Sequence, residues 1–184
     1  MRTIGAIVLG GLLAVSVALA APAPVHILVP GRGEVALLVP SGWGQSRDSG
    51  APGGAPTLSL APQSGPTFSV MVTVFPAGVH EGAIDPTPIR AFVGEAAKEA
   101  QSQAVEKKLL VLELKGSGGR GFYFTATDRA PAPGEWKYLT QGAIGIGSAM
   151  LVFTILTNDG QEAVSAAALD MVRRARFQLP ATSI

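Results

Sequence analysis

Hydrophobic positions in this chain fall into three patterns. A block of apolar residues and glycine, interrupted only by Ser16, runs from Ile4 to Val17, after Met1-Arg2-Thr3 and before Ala18-Leu19-Ala20. Further on, apolar residues alternate with period two, as in strands with one buried face. In two places they recur at three- and four-residue spacing, as on one face of a helix.

The period-two segments come first. Val25–Val29 and Val35–Val39 flank Pro30-Gly31-Arg32-Gly33 and read as a hairpin. Gly44 to Pro56 is rich in Gly, Ser and Pro and reads as a mobile loop. Thr57–Leu60 alternates as a strand. The next strand puts Phe68, Val70, Val72 and Val74 on one face and Ser69, Met71, Thr73 and Phe75 on the other. Apolar groups on both faces predict a central position in the sheet.

Ile89, Phe92, Val93, Ala96, Ala97, Ala100 and Ala104 mark the apolar face of a first helix. Its start is read at Thr87 as cap and Pro88 as first residue. Strands are then expected at Leu109–Leu114 and Gly121–Thr127, joined by the turn Gly116–Gly119. Two longer strands, Glu135–Ile146 and Ser148–Asn158, follow the loop Asp128–Gly134, with Trp136, Tyr138, Leu151, Phe153 and Ile155 as inner positions. A second helix follows, with Val164, Ala167, Ala168, Met171, Val172 and Ala175 on its apolar face. Asp159 and Glu162 have the spacing of a capping box at its start. Strands grouped together with only two helices predict the α+β class. The expected form is one largely antiparallel sheet with two amphipathic helices packed on it.

The opening block has the basic end, apolar core and small-residue exit of a secretory signal, with cleavage after Ala20. An uncleaved anchor is the alternative. Residues 1–20 are thus read as a signal peptide and 21–184 as a single α+β domain, in the periplasm or secreted. The chain contains no cysteine, which excludes a lipoprotein anchor, disulfides and thiol chemistry. Its 14 Lys and Arg against 13 Asp and Glu leave no basic excess that argues for nucleic acid or polybasic membrane binding. After signal cleavage no membrane span is expected.

Val35-Ala36-Leu37-Leu38-Val39-Pro40-Ser41-Gly42-Trp43 resembles the strand, Pro, small, Gly, Trp opening of the PsbP-like superfamily, which includes the periplasmic DcrB-type proteins. The later order is similar too: a mid-chain helix, Gly121-Phe122-Tyr123, Tyr138-Leu139-Thr140, Met150–Thr154 and a last helix ending in Phe177. The resemblance implies an α/β/α sandwich whose members mostly bind or help assemble other proteins. It carries over no catalytic residues.

Candidate chemistry is sparse. The only histidines are His26 and His80. His26 reads as a surface or edge residue; His80, Glu81 and Asp85 lack a framework for a metal site. No Gly-x-Ser-x-Gly elbow is present, and neither Ser117 nor Ser148 has a histidine nearby in sequence. The glycines at 116–121 lead from strand to strand, whereas a phosphate loop leads into a helix. No cofactor or metal is expected. Trp43, Asp128, Arg129 and Trp136 remain as binding contacts beside loops. The reading that follows is an exported, non-catalytic binding or assembly module whose partner is another protein of the cell envelope. The alternative is an exported hydrolase or small-ligand carrier, with His80, Asp128 or a serine converging between sheet and helix.

Overall fold

The computed structural model describes residues 23–48, 54–77 and 84–179. The signal-like leader, His80, Pro180 and the centre of the Gly44–Pro56 segment lie outside the described residues. In chain order the elements are β1 (Ala23–Val29), β2 (Gly33–Val39), β3 (Trp43–Asp48), β4 (Thr57–Pro62), β5 (Ser69–Pro76) and α1 (Pro86–Ala100). They continue with β6 (Leu112–Lys115), β7 (Arg120–Thr127), β8 (Tyr138–Ile146), β9 (Ala149–Thr157), α2 (Glu162–Arg173) and β10 (Arg176–Gln178).

The strands form two antiparallel sheets where one was expected. Seven strands run in the order β3-β4-β5-β9-β8-β7-β6, and β1-β2-β10 form a separate three-stranded sheet. The predicted hairpin of β1 and β2 is present, with His26 opposite Ala36. It joins the C-terminal β10, so Phe177 belongs to a strand and not to the last helix. β5 is internal, between β4 and β9, as its two apolar faces require.

The large sheet has helices on both faces. Ile89, Val93 and Ala97 of α1 pack on Phe122, Phe124, Ala126 and Ala143. The opposite face offers Ile144, Ile146, Leu151, Phe153 and Ile155 to Ala168, Met171 and Val172 of α2 and to Val35 and Leu37 of the small sheet. Each fully buried side chain of this size contributes about 1.5–3 kcal/mol, so the two interfaces account for the layering. The result is an α/β/α sandwich, with the small sheet sharing the α2 layer.

Several local expectations differ from the structure, each for a physical reason. Gly44–Asp48, expected as the start of the mobile loop Gly44–Pro56, belongs with Trp43 to β3, a strand paired with β4. Gln45 through Asp48 are exposed, so no buried face marks them in the sequence. Phe92 is 47% exposed because it lies on the shoulder of the stripe centred on Ile89, Val93 and Ala97. α1 is capped by Asp85, whose carboxylate accepts from the Thr87 amide at 2.9 Å, with Pro86 as the first helical residue. Those bonds hold the Asp85 carboxyl below its ordinary range. At α2 the cap is Gln161, with no side-chain cap bond; its amide serves Thr67 and Asn158. β6 begins at Leu112, later than expected, because the Leu109 amide donates to the Gln101 side chain at 2.8 Å.

Candidate functional site

The sandwich concentrates its polar connections at one end of the large sheet, where β7 and β9 finish and β8 and α2 begin. Three segments meet there: the exit of α1, the loop from 128 to 137, and the start of α2.

The exit of α1 is strapped to β7. Val105 donates its amide to Thr127 O at 2.8 Å, and Arg129 donates its amide to Gln103 O at 2.9 Å. The Arg129 guanidinium donates from Nη2 to Ala104 O at 2.7 Å. Glu106 completes the strap. Its carboxylate accepts from the Thr127 amide at 3.0 Å and from Thr127 Oγ1 at 2.7 Å. Burial pushes the Glu106 carboxyl up, but the bonds from Thr127 outweigh it and hold the group below its ordinary range.

The loop is closed by its own bonds. Asp128 donates its amide to Lys137 O at 2.8 Å, and its carboxylate accepts from the Ala130 amide at 2.9 Å. Glu135 accepts from the Ala132 amide at 2.9 Å, and its own amide returns to Ala132 O. This turn delays β8 until Tyr138 and carries Trp136 out of the strand. Trp136 and Tyr138, expected as inner positions, are half-buried.

Lys137, Tyr138 and Asp159 tie the loop to the start of α2. Lys137 Nζ lies 2.8 Å from Asp159 Oδ1, and the Tyr138 hydroxyl donates to the same oxygen at 2.7 Å. Asp159 is therefore occupied and takes no part in the expected capping box. Its carboxyl is held below its ordinary range by the bond from Lys137 and then by Tyr138; Lys137 is pushed up by Asp159.

A pocket of about 380 Å³ opens between these segments. Ala100, Ala104, Ala126, Leu139 and Leu156 line it together with Trp136, and Gln103, Asp128, Glu135 and Lys137 supply its polar groups. Its size lies in the range of small-ligand and side-chain sites. A neighbouring hollow of about 300 Å³ shares Ala126, Thr127 and Leu139 and includes Glu106 and Ser165.

Of the four contacts predicted from sequence, Asp128 and Trp136 line the pocket and Arg129 anchors the strap beside it. Trp43 is elsewhere, on edge strand β3, with its ring 4.7 Å from Phe68 and half-buried against the core. Sequence reasoning missed Gln103, Glu106 and Lys137, which read as ordinary solvated side chains.

The groups invoked for a hydrolase do not gather among the described residues. His26 lies on the small sheet, 2.8 Å from Glu34. Ser117 donates its hydroxyl to Arg173 O at the far end of β7. Among the described residues no three His, Cys, Asp or Glu side chains are placed to hold a metal ion. No described helix is long and apolar enough to cross a membrane.

No protein-family model matches the sequence, and no curated protein matches it. Among solved structures, the chain is similar to the solution structure of cyanobacterial PsbP (CyanoP) from Synechocystis sp. PCC 6803. The TM-score is 0.53 at 11% identity, over 90% of this chain and 98% of that one. Together with the sandwich and strand order described above, this establishes that the chain has the PsbP-like fold.

Proposed function

We propose that this protein is an exported, non-catalytic binding or assembly module that acts on another protein of the cell envelope. The pocket around Trp136 carries the reading. It combines an apolar lining and a half-buried aromatic wall with a hydrogen-bonded polar rim, and aromatic anchors of this kind dominate protein contacts. Its loop is held by the Glu106 and Asp159 bonds, so little ordering is left for a partner to impose. The PsbP-like fold supports a binding role by analogy, and the leader Met1–Ala20 supports export.

A photo-crosslinking residue at Glu135, introduced in cells at native expression level, tests the contact. A discrete protein adduct is expected from that position and none from Gln45 on β3. Adducts at Gln45 alone, or turnover of a substrate by the purified chain, would overturn the reading. Mass measurement of the native N-terminus tests export: Ala21 first is the expected result, and an intact Met1 refutes cleavage.

A further inference from the structure

Two hollows meet at the polar end of the large sheet, on opposite faces. Across β7, β8 and β9, Ala126, Leu139 and Leu156 share one row, and Ala126 belongs to the α1 side of the core. Thr125, Thr140 and Ile155 form the next row, and Ile155 belongs to the α2 side. The Trp136 pocket therefore lies on the α1 face, and the hollow of about 300 Å³ lies on the α2 face.

Hydroxyls line the second hollow. Adjacent strands set Thr125 opposite Thr140 and Tyr138 opposite Thr157. Thr140 is 6% exposed, and its hydroxyl has no hydrogen-bond partner among the described residues. Among those residues no side-chain oxygen or nitrogen is both sealed and unpartnered, so the Thr140 hydroxyl opens into the hollow. Thr157 is 3% exposed, and its hydroxyl meets Ser165 Oγ at a long 3.4 Å. A hydroxyl this deep needs a polar visitor to complete it.

The rest of the lining offers both donors and acceptors. Asn158 accepts from the Lys137 amide at 3.0 Å through Oδ1, which leaves its NH2 to donate. Glu106 reaches this face through its bonds to Thr127, and Glu162 stands in the first turn of α2. No lysine or arginine lines the hollow, so a phosphate or carboxylate finds no countercharge there. A cation is opposed by the positive end of the α2 dipole and by Lys137 Nζ, 5.3 Å from the centre of the Tyr138 ring. Glu106 is already bonded by Thr127, and Glu162 faces the start of its own helix, so both carboxylates are compensated without a charged ligand.

We propose that this hollow binds a neutral saccharide through one hexose unit. Neighbouring hydroxyls of a sugar ring donate to Glu106 or Glu162, and their oxygens accept from the Thr140 hydroxyl and the Asn158 NH2. The volume suits one ring. A free sugar and the end of a glycan chain present the same chemistry. This site lies on the opposite face of the sheet from the Trp136 pocket and does not depend on the protein contact proposed there.

The test is amide NMR of the isotope-labelled protein, expressed with its leader and purified as the cell leaves it. The titrants are methyl glucoside, methyl galactoside, methyl mannoside and maltotriose, with glucose phosphate and cadaverine as charged controls. Saturating shifts at millimolar sugar are expected at Thr125, Thr140, Asn158 and Ser165 with at least one neutral sugar, and none at Gln103 or Glu135. Thr140→Val keeps the shape and removes the hydroxyl. It should retain the parent's Tm, because no hydrogen bond within the protein is lost, and weaken binding about tenfold. Glu162→Ala, at an exposed position, gives a second measure if Thr140→Val does not fold, with about tenfold weakening expected. Tighter binding of maltotriose than of methyl glucoside assigns the source to a glycan end and equal binding to a free sugar; both uphold the proposal. No saturating shift with any neutral sugar, shifts driven by glucose phosphate or cadaverine in their place, or variants that bind like the parent would overturn it.

Discussion

Replacing Glu106 by alanine removes the clasp between the exit of α1 and the end of β7. The side chain accepts from two donors of Thr127, its amide at 3.0 Å and its hydroxyl at 2.7 Å. Hydrogen bonds to a charged acceptor contribute about 1.5–3 kcal/mol each. Both residues are half-exposed, so water can re-satisfy the donors, and the lower end of that range applies to the pair. The expected loss is about 1.5–2 kcal/mol, a fall of roughly 3–8 °C in Tm for a chain of this length. Glu106→Gln keeps one neutral acceptor and should lose about half as much. The loss also depends on pH. The folded carboxyl lies below its unfolded value, so its contribution is complete above the unfolded pKa and disappears as pH falls through the folded one. Thermal unfolding of parent and both variants, at neutral pH and again below the carboxylate range, checks the argument. A Glu106→Ala shift under about 1 °C at neutral pH would refute it, as would a gap between parent and variant that persists in acid.

Further outcomes follow from other contacts. Lys137→Met should raise the Asp159 titration toward the ordinary carboxylate value, because the Lys137 bond is the main cause of its depression; carbon NMR shifts against pH read this directly, and an unmoved titration would contradict it. Phe124 has no exposed surface, and Phe124→Ala should cost about 3–5 kcal/mol in urea unfolding; a loss under 1 kcal/mol would show that the α1 interface closes the cavity. Gly94 sits inside α1, where an added Cβ meets nothing within 4 Å. Gly94→Ala should therefore stabilise by about 0.5–1 kcal/mol, and a destabilised variant would mean that the outer face of α1 is not free.

Much of the fold was legible because burial imposes periodicity. β5 carries apolar residues on both faces and lies between two strands. β9 buries Leu151, Phe153 and Ile155 at alternate positions, and α2 buries Ala168, Met171 and Val172 at helical spacing. Elements without a buried face were silent. β3 is polar along its exposed length, and β10 is only Arg176-Phe177-Gln178, too short for any period to register. That silence hid the second sheet.

The caps show a different limit. Thr87 and Asp159 are chemically suited to capping, but Asp85 stands at the helix start and Lys137 holds Asp159. Residue type alone cannot rank competing partners. The pocket was half legible. Asp128 and Trp136 stood out in a loop, while Gln103 and Ala104 reach it only through the contacts of their segment with β7. Those pairings are long-range and leave no local trace.

The polarity that concealed β3 has a benefit for the folded chain. An outermost ladder offers unpaired amides and carbonyls that could template fibrous association with identical molecules. Here one margin of the seven-stranded sheet presents Gln45, Ser46, Arg47 and Asp48, and the other is a four-residue strand carrying Glu113 and Lys115. Hydrated charge on one side and brevity on the other discourage stacking, so the same residues that yield no hydrophobic signal guard the protein against aggregation.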